Sequence, residues 1–271
     1  STPLSRNNVS APLRQLRGVF FASPHSNPMS IHTVDLSRLS SSLSSYGSTI
    51  FKIPFHDSHL LLSVANPLGV AGILWPLAIS LPLHLLDHPP TPLRNKRVLC
   101  LGAGLGLEGL ALAAFAGADV TLTDLPAVLP NIRRNVRLNA DVLARPGAGS
   151  VAVEALAWGP EGFCESKLCE EDLEGRPYDV VLGCELVYDD ALHDVLRWTL
   201  RRVTGRGTRL YIAMEERNFE CLQFVRELAL EPQPHGYRVR EVEFERFGVE
   251  DAHMFEVRRL EEGEEQEDPV F

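Results

Sequence analysis

Three glycines, Gly102, Gly104 and Gly106, follow the apolar run Val98-Leu99-Cys100-Leu101 and precede the alanine-rich segment Leu107–Phe115. That order describes a strand, a tight turn and a helix whose first backbone N–H groups and positive dipole end face a ligand. A side chain on the turn would block close approach and the positive φ it needs. Asp124 ends the next apolar run, 22 residues after Gly102. A carboxylate there can accept hydrogen bonds from both hydroxyls of an adenosine ribose. The set predicts a nucleoside cofactor and leaves its identity open. Gly104-Leu105-Gly106-Leu107-Glu108-Gly109 also matches the dinucleotide pattern G-x-G-x-x-G, so an NAD-dependent oxidoreductase is one reading. Against it, that match begins two residues late relative to the strand end.

Glu185 and Tyr188 lie three residues apart after the apolar run Tyr178–Cys184. Such a pair can hold or take a proton and offer a hydroxyl or a π face. The same residues would also serve as a cap for a helix beginning near Asp189 and as a core aromatic. Other candidates are weaker. His56 and His59 flank Asp57-Ser58, and His84 and His88 have i,i+4 spacing, yet no acid or cysteine recurs near them, so no metal site is expected. Cys164 and Cys169 lie in an acidic loop without a histidine. No Ser, His and Asp set has a nucleophile-elbow context.

The elements that must position these residues alternate. Strands at Val98–Leu101, Val120–Thr123, Val151–Leu156, Tyr178–Cys184 and Thr208–Ala213 are separated by helices at Leu107–Phe115, Val128–Asn139, Ala191–Val203 and Asn218–Leu230, with a polar insertion at Gly159–Arg176. Apolar strands alternating with helices imply a parallel sheet covered on both faces. Tyr237–Phe247 and Met254–Leu260 then read as strands joined by four residues, too few to cross a sheet, so they must pair antiparallel. The fold class is α/β, doubly wound, with a C-terminal antiparallel hairpin, which is foreign to the usual all-parallel dinucleotide fold. Before the sheet, Phe51–Phe55 reads as a short strand and Trp75–Leu86 as a helix with Pro76 in its first turn.

Residues 1–50 are rich in Ser and Pro and read as a mobile arm, 51–260 as the folded domain, and 261–271 as a disordered acidic tail. The 271 residues carry 26 Lys+Arg against 36 Asp+Glu, a net charge of −10, which argues against a nucleic-acid partner. Six acids fall in the last eleven residues, so the body is only mildly acidic. Leu60–Leu83 has no charge and is long enough to span a bilayer, but Pro67, Pro76, Pro82, Gly69 and Gly72 interrupt it, and buried elements are expected instead of a membrane span. Five cysteines without a CxxC read as reduced thiols of a cytoplasmic, or nuclear, protein.

The stretch from Val98 to Leu110 resembles motif I of the seven-β-strand S-adenosylmethionine-dependent methyltransferases. More narrowly, the chain is similar to protein-lysine methyltransferase family 16, the methyltransferase-like 21 group. Further matches stand in order: Gly72–Pro76, Val120–Pro126 with Asn135–Asn139, Leu156–Gly159, and Leu182–Asp189 with its acidic-x-x-Tyr signature. The resemblance implies a Rossmann-like sheet of order 3-2-1-4-5-7-6 with strand seven antiparallel. It implies S-adenosylmethionine flanked by Trp75 and Trp158, with Trp158 near the adenine. Gly102, Ala103, Gly104 and Gly106 would face the cofactor through their backbone, Asp124 would hold the ribose, and Cys184 would line the methionine side. Glu185 and Tyr188 would be catalytic, steering a lysine amine of a protein substrate, with translation factors, ribosomal proteins or chaperones as candidates and a monomer as the working unit. The chain departs from the family at Cys100 and Ala157, where acids are usual. A small-molecule amine methyltransferase and a non-catalytic cofactor-binding protein are the alternatives within this fold.

Overall fold

Val98 and Cys100 project into one hydrophobic core, and Leu99 and Leu101 into another. A strand covered on both faces has to be apolar at every position, and this run is the centre of the molecule. The computed structural model describes residues 20–22, 31–36, 43–45, 48–171, 173, 175–231, 236–247, 249–260 and 264. Its strands are β1 (Phe20–Ala22), β2 (Ile31–Thr33), β3 (Leu43–Ser45), β4 (Ser48–Phe55), β5 (Ser58–Ala65), β6 (Arg97–Leu101), β7 (Asp119–Asp124), β8 (Val151–Ala155), β9 (Val180–Cys184), β10 (Arg209–Glu215), β11 (Tyr237–Glu241) and β12 (Ala252–Arg259). The helices are α1 (Leu77–Asp87), α2 (Leu107–Ala111), α3 (Leu129–Leu138), α4 (Ala140–Leu143), α5 (Pro160–Cys164), α6 (His193–Val203) and α7 (Phe219–Ala229).

The main sheet has the order β11-β12-β10-β9-β6-β7-β8. Counted from β6 as the first strand, this is 3-2-1-4-5-7-6, the order implied by the resemblance. The five strands β6 to β10 pair in parallel, and β12 runs antiparallel to both β10 and β11. Side chains of α1, α2 and α3 fill one core and those of α6 and α7 the other. The C-terminal hairpin departs from expectation in length. β11 stops at Glu241, the Val242 N–H still bonds the Met254 carbonyl (2.7 Å), and the link to β12 runs on to Asp251. Val242 and Phe244 alternate like a strand, but they and Phe247 pack onto the core instead of extending the ladder.

The N-terminal half holds more structure than an arm. β4 begins at Ser48 and pairs antiparallel with β5, and β2 joins β4 in parallel. The expected strand Phe51–Phe55 is therefore one half of a hairpin. The uncharged stretch Leu60–Leu83 supplies β5, a 3-10 segment (Asn66–Gly72) and the start of α1. Among the described residues no helix is long and apolar enough to cross a membrane. β1 and β3, also within the expected arm, pair in parallel; its residues other than 20–22, 31–36, 43–45 and 48–50, and all of the acidic tail except Glu264, lie outside the described residues. The insertion at 159–176 carries α5 and a 3-10 turn (Lys167–Glu170), which bury Phe163 and Leu168.

The hairpin is fastened to the main sheet through asparagines. Asn135 on α3 and Asn139, which caps its C-terminus, are four residues apart, a rise of about 6 Å, while Ser63 and Leu61 are two apart on β5, about 6.8 Å. The spacings match, so each side-chain amide pairs with one backbone position of the free edge of β5. The Leu61 N–H donates to Asn139 Oδ1 (2.8 Å), and Asn139 Nδ2 donates to the Leu61 carbonyl (2.7 Å). The Ser63 N–H donates to Asn135 Oδ1 (2.7 Å), and Asn135 Nδ2 donates to the Leu105 carbonyl (2.9 Å) in the glycine turn. One side chain thus joins hairpin, helix and turn.

Candidate functional site

The turn between β6 and α2 sits at the carboxyl ends of the parallel strands, where open α/β sheets bind ligands. Gly102 has φ +54° and Gly104 φ +53°. A Cβ on Gly102 would fall 2.7 Å from Leu186 Cδ2 and 3.2 Å from the Trp158 ring. One on Gly104 would fall 3.3 Å from the Ala71 carbonyl oxygen. The cradle is bare backbone, bounded by Trp158, Leu186 and the segment ahead of Trp75. The Ala103 N–H donates to the Thr123 carbonyl (2.9 Å), tying the turn to β7.

Asp124, 8% exposed, closes the cradle. Its Oδ2 accepts the Gly104 N–H (2.8 Å) and its Oδ1 the Leu125 N–H (2.7 Å). An ionised carboxylate has about four acceptor positions, so two are left for a ligand's hydroxyls. Burial raises its pKa, and the two backbone N–H bonds act in the opposite sense. Asp124 therefore shapes the turn, a role that spacing alone did not reveal.

At the end of β9, Glu185 adopts φ +56°, a costly backbone for a residue with a side chain and one that clusters at functional sites. Glu185 is 9% exposed. Its Oε2 lies 2.8 Å from Arg217 Nη2, and that guanidinium stands 4.8 Å from the centre of the Trp75 ring. Glu215 holds the same nitrogen at 2.9 Å. Burial pushes the Glu185 carboxyl up to about 7, with Arg217 the main opposing influence. The helix-cap reading of Glu185 does not hold, because Asp189 accepts the Ala191 N–H (3.1 Å) in that role. Nor is Tyr188 a core aromatic: it is 42% exposed, and partial burial and the charges of Asp189 and Asp124 raise its pKa.

Sequence reading missed two charged residues here. Arg217 follows β10 at the same end of the sheet, and that position is the signal that could have found it. Glu108, in the first turn of α2, is 7% exposed; its Oε2 has no hydrogen-bond partner among the described residues. The Cys184 thiol donates to this carboxyl, and burial pushes Glu108 up to about 7 and both Cys184 and Cys100 well above the usual thiol range. An acid flanked by Leu107, Gly109 and Leu110 was the signal. The expected histidines stay apart from the site. The His84 and His88 rings meet tilted, with centroids 5.3 Å apart, His56 lies 3.4 Å from Asp87, and no group of three metal-ligating side chains occurs among the described residues.

A backbone cradle after the first strand, an acid at the end of the second and an antiparallel seventh strand define the S-adenosylmethionine-dependent methyltransferase class. A structure from Streptococcus mutans described as such a methyltransferase shares the fold at 12% identity and TM-score 0.53, over 81% of this chain and 61% of that one. A family model described as lysine methyltransferase matches residues 55–231. The mouse EEF1A lysine methyltransferase 3 is 32% identical over 194 residues, 72% of this chain and 76% of that protein. The zebrafish (Danio rerio) protein N-lysine methyltransferase METTL21A is 30% identical over 191 residues, 69% and 77% of the two chains. The chain belongs to the lysine methyltransferase family and is an S-adenosylmethionine-dependent protein-lysine methyltransferase. The oxidoreductase and non-catalytic readings are thereby set aside.

The residues present fit that cofactor. The glycine backbone leaves room beside Trp158, and Asp124 keeps free acceptor positions for a ribose.

Proposed function

We propose that the acceptor lysine enters between Glu185 and the face of Trp75, the place Arg217 now fills. One observation carries this reading: a cation already sits there, paired with a buried carboxylate and stacked on an indole. Arg217 acts as a stand-in that the substrate's ammonium displaces. A lysine ammonium, with an ordinary pKa of about 10.4, must lose a proton before it can attack. Glu185, at about 7, is well matched to draw that proton off near neutral pH, directly or through water. When bound, S-adenosylmethionine supplies an electrophilic methyl on a sulfonium. Asp124 would hold the ribose hydroxyls, Trp158 would stand beside the adenine, and Gly102, Ala103, Gly104 and Gly106 would offer backbone. Tyr188 guards the mouth with its hydroxyl and ring.

The substrate we propose is a folded protein with a basic surface, on the model of the mouse relative, whose name gives the translation factor EEF1A. The chain's charge of −10 supports such a partner and disfavours nucleic acid. We further propose that it works as a monomer in the cytoplasm, or the nucleus, where its five thiols stay reduced.

Tritiated methyl transfer into cell lysate and into purified EEF1A tests the assignment. Label enters one or a few proteins as methyl-lysine. Glu185→Ala lowers the rate about 100-fold or more, as loss of a general base does. Tyr188→Phe lowers it several-fold. Label confined to nucleic acid or to small-molecule amines would show the acceptor assignment to be wrong.

A further inference from the structure

We propose that Glu108 is the residue that binds the α-ammonium of the cofactor's methionine portion. Its carboxyl is buried in the first turn after the glycine cradle, with one oxygen unpartnered. A backbone N–H of its own residue and the Cys184 thiol from β9 donate to it, the Asp124 carboxylate from β7 opposes its charge, and it acts in turn on the Cys100 thiol of β6. None of these is a cation. A buried carboxylate held by one backbone N–H and a thiol, beside another acid, is costly unless a positive charge joins it. Asp124 and Trp158 account for the nucleoside end of the ligand. The opposite end carries a primary α-ammonium, protonated at neutral pH, and Glu108, in the first turn after the cradle with the Cys184 thiol donating to it, is the buried acid left to meet it. The Cys100 thiol of β6, behind the glycine turn, also feels this carboxyl.

Burial supports the assignment by holding Glu108 near 7 in the absence of a partner. Pairing with the ammonium ionises it, and the carboxyl proton leaves to solvent. The ammonium's own proton count does not change. Cys184 and Cys100 remain thiols across this range, because burial raises both. Glu185 titrates in the same range, but it faces Arg217 and Glu215.

The proposal rests on S-adenosylmethionine as cofactor, and its test separates the two. S-adenosylhomocysteine and 5′-methylthioadenosine share the nucleoside and sulfur, and only the first carries the amino acid. Calorimetric titration of the native protein with each ligand at pH 6 and pH 8 is the measurement. The affinity ratio of the first to the second rises roughly tenfold from pH 6 to pH 8, as expected for a carboxyl titrating near 7. Glu108→Gln removes this dependence and weakens S-adenosylhomocysteine tenfold or more, while 5′-methylthioadenosine changes less than twofold and confirms an intact fold. A flat ratio in the native protein overturns the proposal, and that readout needs no variant. Equal losses for both ligands, or no loss for either, in Glu108→Gln also overturn it. Failure of native protein to bind either ligand would defeat the cofactor assignment itself.

Discussion

Glu108 and Glu185 are two carboxyls that the fold has made weak acids by removing water. Each is pushed from the ordinary 4.5 up to about 7, so the folded protein holds these protons more tightly than the unfolded chain. The stability they contribute is full below about 4.5 and is lost as pH rises through 7. Without ligand, the protein should therefore melt at a lower temperature at pH 8 than at pH 5.5. For Glu108, which has no cation to offset it, the loss is on the order of 1–3 kcal/mol. Differential scanning calorimetry of native protein and Glu108→Gln checks this. The Gln variant should gain relative to native at pH 8 and not at pH 5.5; an equal effect at both would mean the carboxyl is not ionising in place. Asp124 and the glycines were legible in the sequence because their roles follow from strand ends and backbone, which are local. Glu108 and Arg217 were not, because what makes each one matter is its partners, Cys184 and Asp124 in one case, Glu185 and Trp75 in the other. All of those partners lie on other elements.

At the scale of elements, the parallel strands were legible as apolar runs because both faces are buried. The hairpin was only half legible. β5 lies at the head of a long uncharged stretch, and no polar alternation separates it from the 3-10 segment and helix that follow. β11 was overdrawn because Val242 and Phe244 keep the period of a strand while serving as packing, with Phe244 lining the same cavity as Leu83 and His84 of α1. The asparagine ladder was invisible, since Asn135 and Asn139 meet β5 across separations of 72 and 78 residues. It does for β5 what another strand would, closing an edge that otherwise exposes backbone donors and acceptors. Asn135→Leu strands the Ser63 N–H and the Leu105 carbonyl in a buried place. At about 1–3 kcal/mol for each group, the variant should melt roughly 5–15 °C lower. Because Leu105 belongs to the glycine turn, S-adenosylhomocysteine should also bind more weakly. A thermal melt with and without that ligand reads both effects, and an unchanged melting temperature would show that the ladder is not holding the hairpin.

Over the whole molecule, charge and cofactor chemistry act at different ranges. The cradle, Asp124 and Glu108 are buried, so dissolved salt screens them little, whereas the net charge of −10 acts through solvent over about one Debye length. A basic protein substrate would be drawn by that field, and a cofactor seated in the sheet would not. Raising the salt from about 0.05 to 0.5 M should then lower kcat/KM for the protein substrate about tenfold through slower encounter, with the Kd of S-adenosylhomocysteine nearly constant. The end of the chain offers a way to change the field without touching the fold. Glu264 is bound by Arg258 at 2.6 Å and by Arg238 at 3.1 Å, so truncation has to spare it. Ending the chain after Glu264 removes Glu265, Glu267 and Asp268 and keeps both ion pairs. The truncated protein should keep its melting temperature, lose a few-fold in kcat/KM at low salt, and show a shallower salt dependence than the full chain. Equal slopes for the two chains would mean that substrate capture depends on contacts near Trp75 and Tyr188, with the acidic end of the chain taking no part in it.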